Sequence, residues 1–203
     1  MTKHDKNLKG ITRREMLVGS AVAGTGLMVG YAGLPGVVGG ARETLAAGTF
    51  DHQVFLTMDP SGIATVHITK AEIGQHIGTA LAQAVAEELE VDWNDVNIDY
   101  PDSDPKWGLM ITGGSWSVNW TFDRNSRIGA SARIALIEAG ARMMGVPVAQ
   151  CSASNSKVID SVSGVTKSYS QILSTTTIDR TFSEDEMKAI SLKKFGEYKI
   201  VGK

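Results

Sequence analysis

The chain has 203 residues, 42% of them hydrophobic, which fits an ordinary folded protein of one domain or two. A formal net charge of -2, from 20 basic and 22 acidic residues, gives no electrostatic basis for nucleic-acid binding. The single cysteine, Cys151, excludes an internal disulfide framework and any multi-cysteine zinc or iron–sulfur site within this chain, and at the end of a helical pattern it reads as a packed thiol.

The N-terminus has the shape of an address. Lys3, Lys6, Lys9, Arg13 and Arg14 precede a run from Met16 to Ala41 without a charged side chain. Thr12-Arg13-Arg14-Glu15-Met16-Leu17 resembles the twin-arginine export motif, with Met16 where that pattern prefers Phe or Leu. The apolar run is long enough to cross a bilayer, although its glycines each weaken a helix by roughly 1 kcal/mol relative to alanine. Residues 1–48 are therefore read as a twin-arginine-type signal or anchor segment with its linker, and 49–203 as the folded body. Leu45-Ala46-Ala47-Gly48 offers the small residues of a cleavage site, and an uncleaved anchor is the alternative. Twin-arginine export moves folded proteins, often with a cofactor already inserted.

In the body, residues 53–58 form a strand candidate, and Asp59-Pro60-Ser61-Gly62 is a turn. Ile63 to Thr69 alternates, with Ala64, Val66 and Ile68 on one face and Thr65, His67 and Thr69 on the other, which predicts a β-hairpin. His67 reads as a surface or hydrogen-bonded residue, since no second ligand lies at metal-binding spacing. A first glycine-centred loop follows, Glu72-Ile73-Gly74-Gln75-His76. Gly74 permits a backbone angle closed to other residues, and the Gln75 amide offers a donor and an acceptor. Leu81, Val85 and Leu89 then mark the apolar face of a helix. Glu87, Glu88 and Glu90, near its end, read as a solvated face.

Val96, Ile98 and Tyr100 alternate with Asn97 and Asp99 as a half-buried strand, broken by Pro101-Asp102-Ser103-Asp104-Pro105. The two aspartates read as turn residues, because the remainder of a calcium-loop pattern is missing. The second loop is Thr112-Gly113-Gly114-Ser115-Trp116-Ser117. Its glycines let a ligand approach the main chain, Ser115 and Ser117 add hydroxyls, and the following helix start supplies free N–H groups and partial positive charge. That is the physics of phosphate binding. A long helix is predicted from about Phe122 to Met144, with Ile128, Ala132, Ala135, Leu136, Ala139 and Met143 buried and Gly145-Val146-Pro147 as its stop. Arg124, Arg127 and Arg133 read as solvated or phosphate-facing. A small hairpin over residues 157–159 and 164–167, a helical turn over 168–173 and a strand-like tail over 195–203 complete the chain. The fold expected is α+β: a small mixed sheet with hairpins packed on two or three helices, preceded by a signal or anchor helix.

The order of these features resembles the start of the molybdopterin-binding large (beta) subunit of the isoquinoline 1-oxidoreductase group, a branch of the xanthine dehydrogenase and aldehyde oxidase family. The resemblance covers roughly residues 10–203 and makes the body part of a larger molybdopterin-binding domain. It implies a molybdenum hydroxylase-type oxidoreductase that hydroxylates N-heterocycles or oxidises aldehydes with oxygen taken from water. The implied cofactor is a molybdenum–pyranopterin dinucleotide, in the molybdopterin cytosine dinucleotide form. By resemblance, Gln75 hydrogen-bonds the pterin near the metal, Gly113, Gly114, Ser115 and Ser117 contact the pterin or its phosphates, and Gly74 and Thr112 complete the cofactor-binding set. No catalytic residue and no metal ligand is assigned to this chain.

The implied partners are a small subunit carrying two [2Fe–2S] clusters, the remainder of the large subunit, and a cytochrome c electron acceptor, in or facing the periplasm. Two departures stand out. His76 occupies the place of a third glycine, and the family's substrate-side loop and catalytic glutamate come from regions absent here. A truncated product, a fragment or one piece of a split subunit is expected, inactive alone. The alternatives are a non-catalytic exported scaffold or partner-binding protein, and a membrane-tethered structural piece. The family reading requires the two loops to share one side of the molecule.

Overall fold

The structure is a computed structural model, and it describes residues 15–19, 27–32, 54–107, 109–176, 178 and 180–203. Among the described residues, nine strands form two sheets. In chain order the first sheet takes β1 (Glu15–Gly19), β2 (Leu27–Ala32), β3 (Val54–Met58), β4 (Ala64–His67), β5 (Val96–Asp99) and β9 (Arg180–Ser183). Its spatial order is β5-β4-β3-β2-β1-β9. The second holds β6 (Cys151–Ser154), β7 (Lys157–Asp160) and β8 (Thr166–Ser168) in sequential order. The helices are α1 (Ile77–Leu89), α2 (Ser117–Met144), α3 (Tyr169–Thr175) and α4 (Glu184–Ala189).

The expected hairpin is present: β3 and β4 pair antiparallel, with Leu56 opposite Val66. From β4 the chain crosses through α1 and returns as β5, parallel to β4, with His67 opposite Asp99. The segments that follow β4 and β5 therefore leave the sheet at the same edge. The first leads directly into the first glycine-centred loop, the second through a 3-10 turn at Pro105–Trp107 into the other, and the carboxyl ends of parallel strands are where open sheets bind ligands.

Leu81, Val85 and Leu89 are buried, and so are Ile128, Ala132, Ala135, Leu136 and Ala139 of α2. Each fully buried leucine, isoleucine or valine contributes about 1.5–3 kcal/mol. The small residues on α2 let α1 approach closely: a Cβ on Gly129 would lie 2.3 Å from the Val85 carbonyl oxygen and 3.1 Å from the Glu88 Cβ. Arg133, one turn further, lies 3.6 Å from the Glu88 carboxylate. Contacts that advance in the same sense along both helices mean that α1 and α2 start at the same end, beside the same sheet edge.

Several expectations change. The described residues within the expected signal or anchor helix, Glu15–Gly19 and Leu27–Ala32, are antiparallel strands joined to β9 and β3. Valine and tyrosine favour extended backbone, and the glycines penalise helix. The rest of residues 1–48, including the arginine pair, lies outside the described residues. Among the described residues no helix is long and apolar enough to cross a membrane. The long helix starts five residues before the expected Phe122, at Ser117, and Met143 is 37% exposed rather than buried.

Glu87 and Glu88 are 2% and 1% exposed, not a solvated face. The Glu87 carboxylate accepts from the backbone N–H groups of Lys199, Ile200 and Val201 at 2.5–3.0 Å, and Glu88 accepts from Lys193 N–H at 2.8 Å. Glu90 pairs with the ammonium groups of Lys193 and Lys199, both at 2.6 Å. These three carboxylates pin the C-terminal segment, which is a 3-10 turn at Phe195–Glu197 and then bends, not a strand. Arg127 is likewise structural: it donates to the carbonyl oxygens of Met187, Lys188 and Ile190 and pairs with Asp123.

Candidate functional site

The first loop leaves β4 through Lys70 and reaches the start of α1. Glu72 organises it. Its Oε1 accepts from the N–H groups of Gly74 at 2.7 Å and His76 at 3.0 Å, and its Oε2 lies 3.4 Å from Gly78 N–H and from the Tyr100 hydroxyl. Desolvation alone would raise the Glu72 pKa, but the N–H donors of His76, Gly74, Gly78 and Ile77 outweigh it and hold the carboxyl below its ordinary value. Gln75 is bonded within the loop, its Oε1 accepting from Ile73 N–H at 2.7 Å and its Nε2 donating to Ala71 O at 3.0 Å. A carboxamide has a second N–H and a second lone pair, so this pinning orients the exposed amide without exhausting it. Gly74 has φ 95 and His76 φ 60. The His76 position thus demands the left-handed backbone that glycine takes freely, and histidine is held there at a cost.

The second loop follows β5. Gly114 and Ser115 both have φ 58, and Trp116 N–H donates to Gly113 O at 3.2 Å, so Gly113 to Trp116 form a type I′ turn. A Cβ on Gly114 would lie 2.6 Å from the Trp116 ring, whereas a Cβ on Gly113 or Gly74 would meet nothing within 4 Å. Ser117 is the first residue of α2, and among the described residues no side chain caps that helix start. Thr112 Oγ1 is buried without a hydrogen-bond partner among the described residues.

Lys70 joins the two loops. It is 4% exposed, and its ammonium donates to Leu109 O at 3.0 Å and Ile111 O at 3.2 Å. Burial, and secondarily the Arg124 guanidinium, pull its pKa below the ordinary lysine value. Arg124, on the second turn of α2, stacks over the Phe55 ring at 4.4 Å. Two cationic side chains therefore underlie the loops. Beneath them, at the parallel strand ends, His67 Nδ1 lies in hydrogen-bond contact with Asp99 Oδ2 at 2.7 Å and its Nε2 with the Thr57 hydroxyl at 3.2 Å. Trp107 stacks on His67 at 6.4 Å and tilts against Phe55 at 6.3 Å. His67 is hydrogen-bonded, as the sequence suggests, and among the described residues no group of acidic, histidine or cysteine side chains is placed to hold a metal ion.

Gly74 and Gln75 thus lie on one loop, Thr112, Gly113, Gly114, Ser115 and Ser117 on the other, and Lys70 and Tyr100 tie the two together at one sheet edge. Sequence reasoning missed Lys70, Tyr100 and Trp107. The alternation through Tyr100 was a usable signal, because a strand parallel to β4 puts its end beside the first loop. The donor set fits an anionic, polar ligand with phosphate groups: open space above bare glycine backbone, an uncapped helix start, a buried threonine hydroxyl without a partner, and cations below.

Comparison with known proteins agrees with this chemistry. The family model described as "Molybdopterin cofactor-binding domain" matches residues 7–201. A membrane-bound aldehyde dehydrogenase of Gluconacetobacter polyoxogenes, whose name carries pyrroloquinoline-quinone, is 40% identical over 195 residues, or 95% of this chain and 25% of that protein. Isoquinoline 1-oxidoreductase subunit beta of Brevundimonas diminuta is 28% identical over 162 residues, 76% of this chain and 21% of that one. The chain thus spans a quarter or less of the length of these curated relatives. Among solved structures, quinoline 2-oxidoreductase of Pseudomonas putida 86 superposes with a TM-score of 0.50 at 18% identity, over 63% of this chain and 18% of that one. A reconstituted CO dehydrogenase from Oligotropha carboxidovorans gives 0.51 at 18% identity, over 58% and 15%. These two likenesses concern the fold alone.

Proposed function

The chain belongs to the molybdopterin cofactor-binding domain family, and from that premise we propose that it is the N-terminal cofactor-binding part of the large subunit of a molybdenum hydroxylase-type oxidoreductase. The observation that carries the proposal is the Lys70 bridge, which holds both glycine-centred loops at one sheet edge. In this reading Gly113, Gly114, Ser115 and Ser117 receive phosphate oxygens on backbone N–H and hydroxyl groups, Thr112 supplies its hydroxyl, and Gly74 and Gln75 face the pterin. When bound, the molybdenum–pyranopterin supplies the redox centre for oxidising an aldehyde or hydroxylating an N-heterocycle with oxygen from water. This chain's residues bind and orient it; the catalytic glutamate and the substrate-side wall belong to regions outside the chain, which alone is inactive.

The cofactor is the cytosine dinucleotide form. A small subunit with two [2Fe–2S] clusters accepts the electrons and passes them to a cytochrome c; the relative named as a subunit beta supports a separate partner subunit. The arginine pair at Arg13 and Arg14 supports export of the folded chain to the periplasm or the periplasmic face of the inner membrane. The higher identity to an aldehyde dehydrogenase than to an isoquinoline enzyme favours aldehydes.

That relative's name raises pyrroloquinoline quinone as a second anionic cofactor. The family match across residues 7–201 favours molybdopterin. The scaffold-only alternative draws on His76 and on the missing regions; the His76 φ of 60 keeps the backbone path that glycine would give. The deciding experiment is co-expression of the chain with the remainder of the subunit and the small subunit, then assay of metal, released nucleotide and quinone. Stoichiometric molybdenum with cytidine monophosphate released by acid is expected. A folded, co-purified complex holding pyrroloquinoline quinone, or neither molybdenum nor pterin, refutes the proposal.

A further inference from the structure

The two helix starts at the site look equivalent in sequence but differ in the structure. Both are preceded by a glycine-centred loop. The start of α2 carries no side-chain cap among the described residues. At the start of α1, the Glu72 carboxylate already accepts from the N–H groups of Gly74, His76 and Gly78. It sits where a phosphate oxygen would sit, with the same sign of charge.

A second element closes the same place. Tyr100, arriving from the end of β5, lays its hydroxyl 3.4 Å from Glu72 Oε2 and directly over the bare backbone of Gly78. A Cβ on Gly78 would lie 1.9 Å from the Tyr100 hydroxyl oxygen, so this approach needs glycine at that position. Carboxylate, tyrosine hydroxyl and glycine form an interlock between the first loop and the segment leading into the second.

We propose that Glu72 is the resident anion of the first loop, a positioning residue that closes the α1 start to phosphate and directs the anionic end of the cofactor to the α2 start. Glu72 does not touch the cofactor. It fixes Gly74 and Gln75 by holding the amides on either side of them, and it makes the two loops unequal, so that the cofactor enters in one orientation. The inference rests on the proposed function, and it specifies which loop takes the phosphates.

The test uses the 203-residue chain, isotopically labelled, with inorganic pyrophosphate as the probe and backbone amide shifts as the readout. In an acid titration, the Gly74 and Gly78 amides follow the protonation of Glu72, and this step disappears in Glu72→Gln; the variant separates it from the other titratable groups at the loop, His76 and Tyr100. With pyrophosphate at neutral pH, the apparent affinity read at Gly74 and Gly78 is at least about ten-fold weaker than that read at Gly113 and Gly114, a difference of about 1.4 kcal/mol. In Glu72→Ala the first-loop amides gain a response and the difference shrinks. Tyr100→Phe keeps the carboxylate and the difference, which guards against a folding defect in Glu72→Ala. Equal responses of both loops in the unmodified chain, or first-loop amides that ignore Glu72 protonation, overturn the inference. If neither loop responds while the Glu72 titration stands, the phosphate seat of the proposed function fails, and the directing role of Glu72 with it.

Discussion

Replacing Lys70 with methionine tests the joint between the loops. The ammonium is 4% exposed and donates to the carbonyl oxygens of Leu109 and Ile111, 39 and 41 residues further along the chain. Each charge-assisted hydrogen bond contributes about 1.5–3 kcal/mol. Burying the ammonium costs several kcal/mol, and a methionine of similar length avoids that cost while filling the same space. The two effects nearly cancel for the whole fold, so the melting temperature is expected to move by no more than about 4 °C. They do not cancel locally, because the second loop loses its tie to the first. Opening of residues 109–117 becomes easier by about 1.4–2.8 kcal/mol, or about 10–100-fold in amide exchange. Hydrogen exchange read by mass spectrometry on a peptide covering that loop measures this directly. The reasoning is refuted if the loop exchanges at the unmodified rate, or if exchange rises equally across the helices with a large fall in melting temperature.

Glu87→Ala removes the acceptor for three backbone N–H groups of the C-terminal segment from a buried position, and a loss of about 3–5 kcal/mol is expected in denaturant unfolding, with residues 199–201 losing exchange protection. His76→Gly relieves a left-handed backbone and is expected to stabilise by up to about 1 kcal/mol, whereas Gly74→Ala, at φ 95, destabilises by about 1–3 kcal/mol; thermal unfolding of the pair checks both signs. Glu88 titrates above its ordinary value, because burial outweighs the Lys193 N–H and the Arg133 and Lys193 charges. Its folded form holds the proton more tightly than its unfolded form. Its contribution is therefore complete below the unfolded value of 4.5 and is lost as pH rises through the folded value. In Glu88→Gln that slope disappears, and urea unfolding across the acid range shows whether it does.

Local periodicity made much of this fold legible. The alternation at residues 63–69 and 96–100 gave β4 and β5, the spacing of Leu81, Val85 and Leu89 gave α1, and Gly145, at φ 70, ended α2 where expected. The misreadings share a cause. Glu87 and Glu88 sit beside an apolar stripe near a helix end, as solvated glutamates do, and the amides that bury them come from residues more than a hundred positions away. Arg127 finds its carbonyl partners about 60 residues on. No window of sequence contains both members of such pairs. Of the site, the glycines and hydroxyls were visible because backbone freedom is written in residue type. The asymmetry between the loops was not, because it depends on Tyr100 reaching Gly78 across a parallel strand pair whose register only the fold sets.

The surface around the loops bears on how such a site works. Ile111 is 63% exposed, Leu109 59%, Trp120 54%, Trp116 49% and Val118 40%, so exposed apolar side chains flank Gly113 and Gly114 along the chain, and Ile73 on the first loop is 80% exposed. Trp116 and Trp120 pack on each other at 4.7 Å, which presents the two indoles as one surface. Backbone amides open to solvent hold phosphate weakly, because water competes for every hydrogen bond and screens the charge. The same amides within a covered, apolar rim act at low dielectric, where orientation and charge count for far more. On the proposed function, this collar is the half of the rim that the chain contributes, and the relatives' additional length supplies the cover. On that reading the hydrogen-bonding groups and the water exclusion that makes them effective come from different parts of the subunit, so that covering the collar, rather than adding donors, is what strengthens the phosphate contacts.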